Sequence, residues 1–201
     1  MSITVAGHAH VMAVPDVGTI GAGVECRRPS AREALAAASA ALETLLGSID
    51  AFKVDRADVR TSGLGLAPQW DHTTSRFTGF VASASVGVTL RQPSRMGELL
   101  DAMVDAVGDD IRVHLVGLRF EDDRELRRRA RDAAFADARE KAEQFAVLAG
   151  RALGPVRSID ESGGQAYAVQ TINRSSGPGP TPTPLGEQAV SVGLVVVFEF
   201  A

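Results

Sequence analysis

The sequence predicts an α+β protein with a ferredoxin-like βαββαβ core over about residues 17–120. Two observations lead to this prediction. An alternating strand pattern runs directly into a Pro-Ser helix start twice, in residues 17–35 and in residues 81–100. A further strand pattern follows each of these helices, so the order strand, helix, strand occurs twice in tandem. We expect an N-terminal strand, a long third helix and C-terminal strands to extend this core into a single domain over residues 1–201.

The first half of the chain supplies two strands and the first helix. Residues 3–11 alternate between apolar and polar side chains, and residues 17–27 do the same. Pro29 precedes a run of helix formers over 31–46, because proline is tolerated at the first turn of a helix. Gly47 is expected to end this helix.

The second repeat follows the same plan. A strand is expected over 58–66, a polar connection over 68–78 and the cleanest strand of the chain over 80–91. A helix opened by Pro93-Ser94 should stop near Gly108. The strand over 111–120 is apolar on both faces, so we expect both faces to be covered.

In a ferredoxin-like sheet the strands 17–27 and 80–91 lie side by side at the centre, and both helices cover one face. The opposite face of these two strands carries small side chains. We call this face the floor; its residues are Thr19, Gly21, Gly23, Ser83, Ser85 and Gly87. A ligand or a closely packed element could occupy such a surface. We favour packing by the long helix, from this chain or a neighbour, because that helix has a stripe of alanines.

The C-terminal third contains this long helix, over about 123–152, followed by a short strand. Residues 162–186 are rich in Gly, Pro, Ser and Thr and should form a mobile loop. The last strand, 190–200, is apolar on both faces, with Val195 and Val197 on the second one. We therefore expect it to need cover on both sides or a partner at its edge.

Composition excludes several classes of function. A net charge of −4 argues against a broad nucleic-acid interface, and one cysteine rules out an intramolecular disulfide or a cysteine-based zinc cluster. No signal peptide pattern opens the chain, and no apolar run approaches the length of a membrane span. The expectation is a cytoplasmic location, or a periplasmic or extracellular one if a leader has been removed.

Four groups of residues could carry chemistry. His8 and His10 share a strand face but lack an identifiable third metal ligand, so an exposed pair is favoured. His72, beside Asp71 and near Trp70, could act as an acid or base, yet nothing indicates a nucleophile. His114 lies in an apolar strand and is expected to be half-buried. Cys26 should point inward and behave as a small hydrophobic residue.

Two further patterns have ordinary structural explanations. Arg28-Pro29-Ser30 and Gln92-Pro93-Ser94 could hold an anion at a helix N-terminus, but they are more typical of simple helix starts. The run Arg127–Arg129 is interleaved with acids, which indicates a solvated face. With no GxSxG, GxxxxGK[ST] or HExxH pattern, we expect no catalytic, cofactor or metal site.

Several short patterns, taken in order, resemble the SIMPL domain family of bacterial proteins, which includes periplasmic oxidative-stress-defence and immunogenic proteins. The likeness covers nearly the whole chain. It rests on Val5-x-Gly7 with Pro15-Asp16, Thr61-x-x-Leu64-x-Leu66-x-Pro68, Gly79-Phe80-x-Ala82, Ala134-x-x-x-Ala138-x-x-Lys141-Ala142-x-x-x-Ala146-x-x-x-Gly150-x-x-Leu153-Gly154, Ile159-x-Glu161 and Val192…Val196-x-Phe198-Glu199-Phe200.

The resemblance implies an oligomer-forming α+β protein without agreed catalytic residues, in a family whose members are in part linked to ring-like or channel-like assemblies and to stress. The leading hypothesis is a non-enzymatic, self-associating domain of this type with a stress-related or scaffolding role. It is motivated by the apolar terminal strand, the long alanine-lined helix and the lack of a catalytic pattern. The alternative is a small-molecule-binding or enzymatic domain that uses the floor or the loop around Trp70 and His72.

Overall fold

The computed structural model describes residues 1–71, 73–161 and 186–201. These residues separate into two compact units. The central unit contains the described residues between 15 and 120, and the terminal unit contains residues 1–14, 121–161 and 186–201. The central unit has nearly the bounds expected for the ferredoxin-like core, whereas a single domain over 1–201 stays a prediction. The expected mobile loop, 162–186, lies outside the described residues except for its last position.

The described chain contains seven strands and three α-helices. In chain order they are β1 (Ser2–Ala13), β2 (Val17–Arg28), α1 (Ala31–Ala51), β3 (Val59–Trp70), β4 (Phe77–Leu90), α2 (Met96–Val107), β5 (Ile111–Arg119), α3 (Arg124–Leu148), β6 (Leu153–Asp160) and β7 (Gln188–Phe200).

The central unit has the predicted ferredoxin-like topology. Its four-stranded sheet has the order β3-β4-β2-β5, and every neighbouring pair is antiparallel. The two strands expected at the centre, β2 and β4, are therefore neighbours. Helices α1 and α2 cover one face, where alternate residues of β2 and β4 are buried. These residues are Ile20, Ala22, Val24, Cys26, Ala82, Ala84, Val86, Val88 and Leu90.

The first helix is longer than the sequence indicated, because Gly47 does not end it. Helix α1 continues to Ala51, and Ile49, four residues after the buried Leu45, is itself buried. Continuing the buried stripe for another turn offsets the modest cost of one glycine inside a helix. By length and composition alone α1 could cross a membrane, contrary to the expectation from sequence. In the structure it contributes Ala34, Ala38, Leu45 and Ile49 to the core of the central unit.

Two further expectations about the central sheet were wrong. The polar connection expected over 68–78 is shorter than predicted, because β3 runs to Trp70 and β4 begins at Phe77. The strand β5 is not covered on both faces. It is an edge strand, and Val113, Leu115 and Val116 are 40%, 54% and 41% exposed.

The terminal unit is a three-stranded antiparallel sheet with the order β1-β7-β6 and with α3 on one face. Its core contains the alternate residues Val192, Leu194, Val196 and Phe198 of β7. The apolar C-terminal strand thus has a strand on each side. Gly7 permits the close approach of α3 to β1, because a Cβ at this position would lie 2.7 Å from Cβ of Ala138 and would collide with the carbonyl oxygen of Ala134.

Candidate functional site

The floor is the face of β2 and β4 that points away from the helices of the central unit. Across the two strands Thr19 is opposite Thr89, Gly21 is opposite Gly87 and Gly23 is opposite Ser85. Their neighbours along each strand are the buried core residues, so the alternation read from the sequence is correct.

Two glycines face each other in the middle of the floor, with one polar side chain at each edge of the sheet. Arg60 on β3 is opposite Gly87, and on the other side Gly21 is opposite Leu115 of β5. The register of β5 shifts next to Gly21, which leaves His114 as an extra residue of a β-bulge. A Cβ on Gly21 would lie 2.8 Å from Nε2 of His114, so the imidazole lies directly over this glycine.

These residues form a groove of about 360 Å³ on the floor, which we call the floor groove. The polar side chains along it come from β2, β4, β5 and the edge segment around β3. They are Thr19, Asp58, Arg60, Ser62, Thr89, His114 and Arg119. His114 is exposed rather than half-buried as expected, because the bulge turns it out of the strand alternation. No sequence pattern indicates such a bulge.

Two acids on or beside this surface are engaged by arginines. Asp58 accepts hydrogen bonds from Arg91 at 2.8 and 3.2 Å. Glu25 pairs with Arg27 at 3.1 Å and with Arg112 at 3.4 Å. Within the described residues no carboxylate pairs with Arg60 or Arg119. The floor groove therefore carries an excess of positive charge.

The alanine stripe of α3 does not serve the purpose that the sequence suggested. Its residues pack against β1 and β7 of the terminal unit and are almost completely inaccessible. They are Ala130, Ala134, Ala138, Ala142 and Ala146. The expectation that this stripe covers the floor is thus corrected, because its small side chains are already used to bring α3 close to β1.

The central unit also exposes a group of large apolar side chains at its β3 edge. We call Leu64, Leu66, Trp70 and Phe77 the hairpin patch; they are 71%, 47%, 53% and 42% exposed. Phe77 makes edge-on ring contacts with Trp70 and with Phe80, each at 5.4 Å between centroids. In the sequence the two leucines stand out only as part of the family pattern. Their exposure on an edge strand makes them candidates for an interface.

The loop around Trp70 gives no support to acid–base chemistry. His72 lies outside the described residues. Asp71 accepts hydrogen bonds from the backbone N–H groups of Thr73 and Thr74 at 2.9 and 2.8 Å, as in an Asx turn. The backbone N–H of Thr74 lowers the pKa of Asp71 below its usual value, so this carboxylate stabilises the turn.

The remaining candidates have structural roles or lie on exposed surface. Val195 and Val197 are half-buried on the face of β7 opposite α3, across from Ala6 and Thr4. His8 and His10 are exposed on β1. In the described ranges no three His, Cys, Asp or Glu residues are grouped so that they could hold a metal ion.

Cys26 is buried as predicted. Burial raises the pKa of its thiol, and a contact with Asp110, with Sγ and Oδ2 at 3.4 Å, raises it further. Ser30 is the N-cap of α1 and accepts a hydrogen bond from the backbone N–H of Glu33, as expected of a helix start.

The arginine run on α3 is a solvated face. Arg127 pairs with Asp123 and Arg128 with Glu125, both at 2.7 Å, and all four side chains are at least partly exposed. The interpretation of this run as an ordinary charged surface is consistent with these local pairs.

Comparison with known proteins agrees with the resemblance in the sequence. The model of the SIMPL family, described as a protein of unknown function (DUF541), matches residues 3–198. The chain belongs to the SIMPL family. It is 29% identical over 159 residues to the uncharacterized protein YggE of Escherichia coli K12, covering 78% of this chain and 64% of that protein. It therefore spans slightly less than two thirds of that relative's length.

A second relative is matched over more of its length. The chain is 26% identical over 212 residues to the 26 kDa periplasmic immunogenic protein of Brucella melitensis, with 98% of this chain and 84% of that protein covered. The uncharacterized protein YggE of Edwardsiella ictaluri is 31% identical over 163 residues, covering 78% of this chain and 66% of that protein.

Proposed function

We propose that this chain is a non-enzymatic domain that self-associates through the outer edge of β3, which has no neighbouring strand among the described residues. The observation that carries the proposal is the segment Gly63–Ala67, where two exposed leucines alternate with small residues on an edge strand. An unpaired strand edge presents backbone donors and acceptors that can pair with another chain. The proposed partner is a second copy of this chain.

The sequence of this segment is self-complementary when two copies pair in antiparallel fashion. Gly-Leu-Gly-Leu-Ala reads small, large, small, large, small from either end, with Gly65 at its centre. A two-fold axis through Gly65 places Leu64 of each copy opposite Leu66 of the other, which gives two equivalent leucine pairs. An isologous contact of this kind requires that the same surface be complementary to itself.

The segment also has natural limits that fix this register. On one side the register of β3 with β4 shifts between Thr61 and Gly63. On the other side Pro68 lacks the backbone N–H needed to continue a strand pair. The segment contains no charge, so like charges do not oppose each other across the axis.

The apolar surface needed for such an interface is available around the segment. Both leucines belong to the hairpin patch, which extends along β3 to Trp70 and across to Phe77. Stable interfaces bury roughly 1,200–2,000 Å² in total, with aromatic side chains enriched at their centres. A five-residue strand pair alone buries less, so the hairpin patch must contribute.

The comparisons favour one cellular setting for this assembly. The Brucella relative is a periplasmic protein by name, which supports the periplasmic alternative rather than the cytoplasmic expectation. We propose a scaffolding role in that compartment. The stress-related role rests on the family resemblance and stays a prediction.

Mass measurement in solution tests the proposal. By light scattering or sedimentation at about 50 μM, we expect the unaltered chain to be a dimer or larger. Leu66→Lys should shift the mass to that of a monomer, since a lysine at a strand edge opposes pairing. Leu64→Lys should act in the same way.

Val104→Lys is the matched control, because Val104 is 41% exposed on α2, away from the strand edge. This variant should keep the mass of the unaltered chain. An unaltered chain that is strictly monomeric, or lysine variants that still associate, would contradict the proposal.

A further inference from the structure

We propose that the floor groove binds a small anionic molecule carrying a phosphate or carboxylate group, held by Arg60, His114 and Arg119. This site is separate from the segment Gly63–Ala67 proposed for self-association, because the groove lies on the opposite side of the sheet from the helices and none of these five residues lines it.

The centre of the floor is formed by two glycines, which have no side chains. Gly21 and Gly87 are neighbours on the two central strands; the imidazole of His114 lies over Gly21, and the open space over Gly87 lies between it and Arg60. Strands lie about 4.8 Å apart, and three such spacings put the backbones of β3 and β5 about 14 Å apart. Arginine and histidine side chains that reach inward across this width can contact one ligand from both sides.

The groove is also open where a ligand needs space. A Cβ added to Gly87 would meet only the carbonyl oxygen of Arg60 within 4 Å, at 3.9 Å. The volume of about 360 Å³ is that of a small-molecule pocket. Thr89 lies beside the glycine pair and provides a hydroxyl donor, whereas the hydroxyl of Thr19, opposite it, donates to the carbonyl oxygen of Gly117 at 3.3 Å.

Charge decides the class of ligand. Asp58, an acid lining the groove, is held by Arg91 through two hydrogen bonds. Among the described residues neither Arg60 nor Arg119 has an acidic partner, and the Arg119 side chain donates to the carbonyl oxygen of Phe120 at 3.5 Å. Guanidinium groups bind the oxygens of phosphates and carboxylates in a forked geometry. A cationic or purely apolar ligand would leave these two charges uncompensated.

Titration calorimetry at low ionic strength tests the proposal, with inorganic phosphate and citrate as separate probes, because screening by salt weakens contacts at an open surface. We expect at least one probe to bind with a Kd below 1 mM, at about one site per chain. Preference for one probe identifies which of the two groups the ligand carries. Arg60→Gln should raise the Kd about tenfold or more, since charge-assisted hydrogen bonds are the stronger class.

Two variants separate this site from a general effect of charge. Arg32→Gln removes an exposed cation from α1 and should leave the Kd unchanged. Gly87→Val fills the groove without removing any charge. It should abolish binding while the chain stays folded, because valine is favoured in strands and space is available. The proposal is overturned if neither probe binds at 10 mM, or if binding persists in both Arg60→Gln and Gly87→Val.

Discussion

The carboxylate of Asp137 on α3 accepts a hydrogen bond from the backbone N–H of His8 on β1, with 2.8 Å between Oδ2 and the nitrogen. Lys141, one turn further along α3, pairs with Asp137 at 2.6 Å and donates to the carbonyl oxygen of Ala6 at 3.2 Å. Because β1 is an edge strand of its sheet, these two side chains satisfy backbone groups that would otherwise be unpaired.

Asp137 should make the terminal unit sensitive to acid. The hydrogen bond from Lys141, followed by that from His8, lowers the pKa of Asp137 below its ordinary value of 3.8. A carboxylate with a lowered pKa in the folded state stabilises the fold above its unfolded pKa. This contribution to stability is lost as the pH falls below about 4 and then through the lower pKa of Asp137 in the folded state. Urea unfolding between pH 7 and pH 3 measures it.

The variant Asp137→Asn should lose about 1 kcal/mol of unfolding free energy at pH 7, because the charge-assisted bonds are weakened at a site that is one third exposed. Its loss of stability between pH 7 and pH 3 should also be smaller. Glu143→Gln, which removes a carboxylate paired with Arg139 on the same helix, is the control and should change little. Equal pH dependence in the Asp137→Asn variant and the unaltered chain would contradict this explanation.

Gly7 should tolerate no side chain. A Cβ there would collide with the backbone oxygen of Ala134 and lie 2.7 Å from Cβ of Ala138, and a helix backbone cannot yield without moving α3. We expect Gly7→Ala to lower the unfolding free energy by about 3 kcal/mol, at the upper end of overpacking effects. Chemical denaturation measures this change.

Gly47→Ala makes the same chemical change at a position where nothing lies within 4 Å of the added Cβ. Since Gly47 is exposed inside α1, alanine should stabilise the chain by about 0.5–1 kcal/mol. If the two variants have similar stabilities, the close contact between α3 and β1 is not as described.

The alternation of apolar and polar residues in the strands, together with the residues that start the helices, was sufficient to predict the fold of the central unit. Period-two patterns identified β2 and β4, and the tandem order placed them side by side with one face buried. The helix start at Ser30 was equally predictable, because the side chain of an N-cap serine accepts a hydrogen bond from a backbone N–H only a few residues further along the chain. Features that depend on local chemistry were therefore predictable.

Features that depend on pairing between distant segments were not. Nothing near His114 in the sequence signals the bulge opposite Gly21 that turns its side chain onto the floor. The expectation that both faces of β5 are covered was wrong for a similar reason, because hydrophobicity does not distinguish an edge strand from a central one. The alanines of α3 indicated close packing correctly, but the glycine that accommodates them, Gly7, lies more than 120 residues away.

The most direct test of self-association is a cross-link at the proposed two-fold axis. In an antiparallel pair centred on Gly65, the two Gly65 positions are opposite each other, about 4.5–5.5 Å apart between Cα atoms. That distance suits a disulfide. Gly63→Cys is the matched control: Gly63 lies on the same strand and is also exposed, but its counterpart in the partner copy is four residues out of register. The native Cys26 is buried.

Under mild oxidation, we measure the fraction of disulfide-linked dimer on a non-reducing gel. Gly65→Cys should form this dimer quickly, and Gly63→Cys should form little under the same conditions. Equal cross-linking by the two variants, or none by Gly65→Cys, would contradict pairing through the β3 edge.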